Sequence, residues 1–257
     1  MMIWSESETA GITVTVPDQA ALLADLERCF QSGQGFSVAT LNLDHVVKLS
    51  RNKAFRAAYG DQTHITADGN PIVWLSRLAG QDVSLVPGSE LISPVADLAA
   101  RHQVPVALFG ATDEALAAAA AALSQQHPGL DVVLCRAPAM GFDPLADAAA
   151  ADIAAIEASG ARLCFLALGA PKQEIFAARA RSALPGTGFV SIGAGLDFIA
   201  GTQTRAPAWV QAVAAEWLWR LLGSPRRLAA RYGACFLVLP KLTGRALLAR
   251  RQSGKLS

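Results

Sequence analysis

Three short polar segments combine residue types that can handle a proton or bind an anion. Thr40-Leu41-Asn42 follows an apolar run, and Thr66-Ala67-Asp68-Gly69-Asn70-Pro71 carries a carboxylate on a tight turn. Leu168-Gly169-Ala170-Pro171-Lys172-Gln173-Glu174 places a cation and an amide at a predicted helix start, where the helix dipole favours anions. A carboxylate on a loop between a strand and a helix is suited to general base catalysis. Each segment alone is equally typical of an ordinary turn or cap.

Two later segments add groups that suit phosphate. Gly193-Ala194-Gly195-Leu196-Asp197 follows another apolar run, and Arg205-Ala206-Pro207 comes soon after it. Glu216-Trp217-Leu218-Trp219-Arg220 is followed by further arginines, at positions 226, 227 and 231. Guanidinium groups make bidentate contacts with phosphates, so these segments favour an anionic ligand.

Several common site patterns are missing from the sequence. It contains no D-x-D pair, no G-x-G-x-x-G fingerprint, no P-loop and no G-x-S-x-G elbow. Its four cysteines and four histidines are scattered without metal-ligand spacing. We therefore predict no metal and no cofactor, and we expect reduced thiols in a cytoplasmic protein.

Charge is distributed unevenly along the 257 residues. From Arg205 onward there are ten basic residues and one acidic residue, a charge of +9, so residues 1–204 carry −8 because the whole chain carries +1. Aromatic residues alternate with these cations, which is typical of a helix at a membrane interface or of a site that stacks single-stranded nucleic acid. No helix-turn-helix or zinc-finger pattern supports the second option. Neither a transmembrane run nor a signal peptide is visible, which argues against an integral membrane or secreted protein.

The segments alternate between strand and helix patterns. The periodicity predicts strands at residues 11–16, 36–41, 65–67, 104–109, 132–135, 163–168 and 189–192, with helices between most of them. Asp44 is predicted to cap the helix after the second of these strands. Such alternation predicts an α/β fold, a Rossmann-like parallel sheet flanked by helices. We expect a catalytic body over residues 1–201 and a helical C-terminal appendage over residues 202–257.

The ordered set of motifs resembles the WecG/TagA/CpsF glycosyltransferase family, glycosyltransferase family 26. The matching pieces span residues 40–232, and they are Thr40-x-Asn42, Ala67-Asp68-Gly69-x-Pro71, Val86-Pro87-Gly88-Ser89-Glu90-Leu91, Leu108-Phe109-Gly110-Ala111, Met140-Gly141-Phe142, Leu168-Gly169-x-Pro171-Lys172-Gln173-Glu174, Gly193-x-Gly195-x-Asp197, Arg205-Ala206-Pro207-x-Trp209 and Glu216-Trp217-x-x-Arg220-Leu221.

The resemblance implies an inverting transferase of bacterial surface or exopolysaccharide assembly, with a UDP-sugar as donor and a polyprenyl-diphosphate-linked saccharide as acceptor. It implies that Asp68 is the base that deprotonates the acceptor, with Thr40 beside it and Asn42 shaping the pocket. The residues expected to bind substrate are Gly69, Gly110, Gly169, Pro171, Lys172, Gln173, Glu174, Gly193, Asp197, Arg205, Arg220, Arg227 and Arg231. Many relatives have two basic residues where this chain has Ala230-Arg231.

The resemblance also implies that the appendage supplies arginines to the diphosphate and docks on the membrane. We therefore expect a peripheral protein at the inner face of the cell membrane, with anionic lipid rather than nucleic acid as its partner. An exposed basic and aromatic surface can also be covered by self-association, so a homo-oligomer stays open. Two other function classes stay open as well: a Rossmann-like oxidoreductase, and a non-enzymatic module that binds lipid or nucleic acid.

Overall fold

The structure, a computed structural model, describes residues 12–201, 219, 222 and 225–253. Within this part of the chain the strands are β1 (Ser37–Leu41), β2 (His64–Ala67), β3 (Val106–Gly110), β4 (Val132–Arg136), β5 (Leu163–Ala167) and β6 (Gly188–Ser191). They pair in parallel as one sheet, in the order β2-β1-β6-β5-β3-β4. Because all pairs are parallel, every carboxyl end lies at the same edge of the sheet.

Helices connect these strands and cover both faces of the sheet. They are α1 (Gln19–Ser32), α2 (Leu43–Arg51), α3 (Lys53–Gly60), α4 (Asn70–Leu78), α5 (Gly88–Arg101), α6 (Asp113–Gln126), α7 (Ala148–Ala158), α8 (Lys172–Ala183), α9 (Gly195–Ile199) and α10 (Pro225–Ser253). The predicted α/β architecture, with a parallel sheet flanked by helices and a helix at the C-terminal end, is confirmed.

The buried side chains form three clusters. Along β3 the side chains alternate, so Val106 and Leu108 join a core with α1, α5 and α6, whereas Ala107 and Phe109 join a core with α7 and α8. Such alternation follows from the period of two in a strand. A third cluster lies at the β1–β2 end of the sheet, where α2, α3, α4 and α10 meet.

Two local predictions were wrong. Residues 12–17 form no strand, although Ile12, Val14 and Val16 are buried; the Thr15 and Val16 amides both donate to the Ile65 carbonyl, at 2.9 and 3.2 Å. The alternation of apolar residues over residues 12–16 therefore arises because one side of an irregular segment is buried. Asp44 is not the cap of α2 either, because Asn42 occupies that position and Asp44 lies in the first turn.

The C-terminal helix α10 packs on α2 and α4. Its side chains facing these helices recur at a spacing of seven: Leu228, Cys235 and Leu242 are buried, and Ala249 packs against the same cluster. This spacing produces one apolar stripe along a helix. The predicted boundary between a body and an appendage at residue 201 lies next to residues outside the described part and stays a prediction.

Candidate active site

Residues from neighbouring strands meet at the carboxyl edge of the sheet. In the β1–β2 register Thr40 lies opposite Thr66 and Leu41 opposite Ala67. The backbone then continues the ladder for one more bond, with the Asp68 amide donating to the Leu41 carbonyl at 2.8 Å. This register brings the loop that carries Asp68 beside the residues that end β1.

Asp68 receives two side-chain donors from the β1 segment. The Thr40 hydroxyl donates to Asp68 Oδ2 at 3.3 Å, and Asn42 Nδ2 donates to the same oxygen, also at 3.3 Å. The other end of the Asn42 amide is occupied as well, because Asn42 Oδ1 accepts from the His45 amide at 3.0 Å. The structure thus brings together the three residues predicted to be catalytic, and it fixes how the carboxylate of Asp68 is oriented.

A buried aromatic pair supports β1 beneath this carboxylate. The Tyr59 hydroxyl donates to the Thr40 carbonyl at 3.0 Å, and His45 Nδ1 lies 2.8 Å from the same hydroxyl oxygen. Burial lowers the pKa of His45 to about 3, with the nearby Lys48 cation acting in the same direction, so His45 is neutral at physiological pH. Burial also raises the pKa of Tyr59. Neither group changes charge near neutral pH, so the support of Thr40 does not depend on pH there.

The β5 and β6 loops are joined by a buried amide. Gln173 is 3% exposed, and its Oε1 accepts from the Gly193 amide at 3.1 Å while its Nε2 donates to Glu174 Oε1 at 2.9 Å. Because the backbone N–H can only donate, it determines which end of the Gln173 amide faces Glu174. Glu174 is fully buried, and burial raises its pKa to about 7. The carboxylate therefore lies inside the wall of the site.

Two glycines predicted to bind substrate have backbone conformations that other residues avoid. Gly69 has φ 91° and directly precedes α4, and Gly110 has φ 120° at the end of β3. A Cβ on Gly110 would also lie 2.5 Å from the Ala167 carbonyl oxygen of β5. The close approach of these two strand ends therefore requires glycine at position 110.

The other predicted binding residues lie in several places. Gly169 (φ 69°), Pro171 and the exposed Lys172 lead into α8, and Asp197 lies in the first turn of α9. Arg231 pairs instead with an acidic residue of the protein, Asp44. Arg205, Arg220 and the side chain of Arg227 lie outside the described residues, so their roles stay predictions.

Sequence reasoning did not find the ionic group beside this site. Asp44 is 8% exposed, and its Oδ2 lies 2.8 Å from Lys48 Nζ and 3.0 Å from Arg231 Nη2. Lys48 Nζ also donates to the Ala170 carbonyl at 3.1 Å. The spacing of four between Asp44 and Lys48 is a signal that the sequence does contain. The contact between Asp44 and Arg231 could not be predicted in this way, because the two residues are far apart in the sequence.

Three further properties of the described residues concern a metal site, a membrane-spanning helix and a groove. No set of three or more His, Cys, Asp or Glu side chains converges there as a metal ion would need. None of the helices described combines the length and apolar composition required to span a bilayer. A groove of about 170 Å³ lies between α4 and α10, with a lining that is almost entirely apolar, and it includes Pro71, Trp74 and Leu239.

A parallel sheet with polar residues gathered at its carboxyl edge is the arrangement of α/β proteins that bind small ligands in that crevice. The comparison with known proteins narrows this class. The model of the glycosyl transferase WecG/TagA/CpsF family matches residues 8–255, and the chain belongs to that family. The resemblance seen in the motifs is thereby confirmed, and the family is one of glycosyltransferases.

One relative illustrates the activity found among similar proteins. The N-acetylglucosaminyldiphosphoundecaprenol N-acetyl-beta-D-mannosaminyltransferase of Bacillus spizizenii is 26% identical to this chain over 224 residues. The aligned region covers 86% of this chain and 82% of the relative.

Proposed function

We propose that this protein transfers a sugar, with inversion, from a UDP-sugar to a polyprenyl-diphosphate-linked saccharide in bacterial surface or exopolysaccharide assembly. The observation that carries the proposal is the Asp68 carboxylate, held by Thr40 and Asn42 at the carboxyl edge of the sheet. The relative from Bacillus spizizenii supports the acceptor, since its name specifies a saccharide linked to diphosphoundecaprenol.

The proposed reaction is a single displacement. The acceptor hydroxyl oxygen attacks the anomeric carbon, its proton passes to Asp68, and the bond between that carbon and the UDP oxygen breaks. Thr40 and Asn42 orient the receiving carboxylate. The negative charge that develops on UDP needs donors or cations, and the arginines of the C-terminal appendage are our candidates.

A UDP-release assay tests this proposal. Purified full-length protein is mixed with each of several UDP-sugars and a short-chain lipid-diphosphate-sugar acceptor, with and without EDTA. We expect UDP release from one donor that depends on the acceptor and is unchanged by EDTA. In Asp68→Asn the rate should fall by about 10²–10⁴-fold, the usual contribution of a general base.

The matched control is Asp131→Asn, an exposed aspartate just before β4 at the opposite edge of the sheet, which should keep wild-type activity. Wild-type activity in Asp68→Asn would rule out this carboxylate as the base. If no UDP is released with any substrate pair and the protein does not bind UDP in a titration, the proposal that a UDP-sugar is the donor would be contradicted.

We also propose that α10 places the protein at an anionic membrane surface. The side of α10 away from the body exposes large apolar residues near cations: Leu237 is 85% exposed and Leu248 is 58% exposed, and Arg250 and Arg251 lie two and three residues after Leu248. Apolar and basic residues together on the surface of a helix are typical of binding at a lipid interface.

A further inference from the structure

The ion pair between α10 and the body involves the helix whose cap, Asn42, contacts the candidate base. Asp44 follows Asn42 by two residues, and Asn42 contacts Asp68 while capping the helix that carries Asp44. On the other side of the pair, Arg231 belongs to the second turn of α10. A single carboxylate therefore joins the segment that orients Asp68 to the C-terminal helix.

The surroundings of Asp44 suit a fixed contact. The residue is 8% exposed, so its charge requires partners, and Lys48 and Arg231 both supply a cation within 3.0 Å. Lys48 also reaches the Ala170 carbonyl in the loop before α8. The same group thus contacts α2, α10 and the loop that precedes Gln173.

Much of the α10 interface is apolar. Leu228, Cys235, Leu242 and Ala246 are buried, and contacts between apolar side chains are non-directional. Asp44 is a buried carboxylate, although the side chain of Arg231 is 42% exposed, so a placement of α10 that removes Arg231 would leave the carboxylate with fewer partners. The contact between Asp44 and Arg231 therefore favours this placement of the helix.

We propose that Asp44 is a positioning residue that sets the rotation and register of α10 at the carboxyl edge of the sheet, so that the acceptor diphosphate binds against a helix held in place. The second half of this statement rests on the proposed function. Lys48 and Arg231 together carry one more charge than Asp44 neutralises, which leaves a net positive charge in this group for an anionic acceptor.

The positioning of α10 by Asp44 can be tested without any substrate, by means of a buried thiol on α10. Cys235 is 6% exposed in the interface between α10 and the body, so its labelling by N-ethylmaleimide, resolved by peptide mass spectrometry, reports undocking of α10. We expect labelling of Cys235 to accelerate by about tenfold in Asp44→Asn and in Arg231→Gln. Cys164, fully buried in β5, is the internal reference for global unfolding.

The Arg231→Gln variant separates undocking from a change in thiol chemistry. The pKa of Cys235 is raised to about 11, mainly by burial and also by Asp44, while Arg231 and Lys48 act in the opposite direction. Loss of Arg231 therefore makes the thiol less reactive, and only greater access can speed its labelling. Arg226→Gln removes an exposed cation of the same helix and should leave the rate unchanged. Labelling of Cys235 at the wild-type rate in Arg231→Gln would overturn the positioning role.

The kinetics of sugar transfer test whether the positioning of α10 contributes to binding of the acceptor. Asp44→Asn removes a negative charge, which by electrostatics alone would improve binding of an anionic acceptor. We expect the opposite: KM for the acceptor rises about tenfold, while KM for the donor stays near the wild-type value. An acceptor KM that is unchanged or lower would overturn the link to the acceptor. A wild-type protein that transfers no sugar would instead contradict the proposed function, and the thiol measurement would still decide whether Asp44 positions α10.

Discussion

Asn42 performs two tasks that need the two different ends of an amide. Its Oδ1 accepts from the His45 amide as the cap of α2, and its Nδ2 donates to Asp68. Aspartate could replace the first contact but not the second, because a carboxylate at neutral pH has no proton to donate. The residue therefore links the stability of a helix to the orientation of the candidate base.

Substitutions at position 42 separate these tasks. Asn42→Ala should lower the free energy of unfolding by about 1 kcal/mol, the usual contribution of a cap, and should also reduce transfer. Asn42→Asp should keep most of the stability and still lose activity, since it places a second carboxylate against Asp68. Chemical denaturation and the UDP-release assay measure the two effects.

The matched control is Asn52→Ala, which removes the cap that Asn52 Oδ1 provides to the Phe55 amide of α3. It should cost similar stability without loss of activity beyond that of the folded fraction. Equal losses of activity in Asn42→Ala and Asn52→Ala would show that Asn42 acts through stability alone.

Glu174 makes the stability of the protein depend on pH. Burial raises its pKa to about 7 from the ordinary value of 4.5, so between these values the folded protein holds a proton that the unfolded chain has lost. Stability from this group is therefore full below about pH 4.5, falls as pH rises, and is constant above about pH 7. Each unit of separation between the two pKa values contributes about 1.4 kcal/mol.

The variant Glu174→Gln should remove this dependence while its carbonyl still accepts from Gln173. Relative to the wild type, its free energy of unfolding should rise between pH 5 and pH 7.5, as measured by urea denaturation at a series of pH values. Glu157→Gln, at an exposed position of α7, should follow the wild type throughout. A difference in the free energy of unfolding between Glu174→Gln and the wild type that stays constant with pH would contradict a raised pKa of Glu174.

At the scale of elements, α5 helps to place the end of β1. This helix begins at Gly88, where an added Cβ would lie 2.8 Å from the Ser191 carbonyl oxygen of β6 and 3.4 Å from Thr40 Cγ2. The start of the helix thus packs against two strands whose carboxyl ends form the candidate site. A glycine is needed here for close approach of the backbone.

Gly88→Ala should consequently destabilise the protein by about 1–3 kcal/mol through overpacking, as measured by thermal or chemical denaturation. We also expect lower transfer activity, because the displaced strands carry Thr40. Gly60→Ala is the control, since a Cβ at the end of α3 would meet nothing within 4 Å. No difference in stability between the two variants would contradict the packing described here.

At the scale of the whole molecule, α10 has one surface buried against the body and one exposed surface with large apolar side chains. Its buried stripe, which includes Cys235 and Leu242, joins the β1–β2 end of the body, while Phe236 and Leu237 are 53% and 85% exposed. Large apolar side chains grouped on an exposed surface are typical of sites that contact another protein or a membrane. The groove between α4 and α10 lies along the same helix, with Trp74 58% exposed at its side.

Leu237→Glu should weaken binding to vesicles that contain anionic lipid by about tenfold or more, because it removes one apolar contact and adds repulsion. Vesicle flotation measures this, and added salt should release the wild type. Leu145→Glu introduces the same change at a position 58% exposed in the loop before α7 and should leave binding intact. If the wild type, Leu237→Glu and Leu145→Glu bind the vesicles equally well, a membrane role for this surface of α10 would be contradicted.

The positions of the strands and of the motifs could be predicted from local patterns in the amino-acid sequence. All six strands of the sheet lie within two residues of their predicted positions, because each combines an apolar run with a turn signal in its immediate surroundings. Thr112, which directly precedes two acidic residues, caps α6 in the same local way, with its hydroxyl accepting from the Ala115 amide. These features depend on a few adjacent residues and so are visible in a local pattern.

Contacts between residues that are distant in the chain could not be predicted from those local patterns. The order of the strands, the bonds of Thr40 and Asn42 to Asp68, and the bond from Gly193 to Gln173 join segments far apart in the chain. The pairing of Arg231 with Asp44, where a phosphate ligand was expected, belongs to the same group. Such contacts arise when whole elements pack and buried charges acquire partners, and no local periodicity encodes that choice.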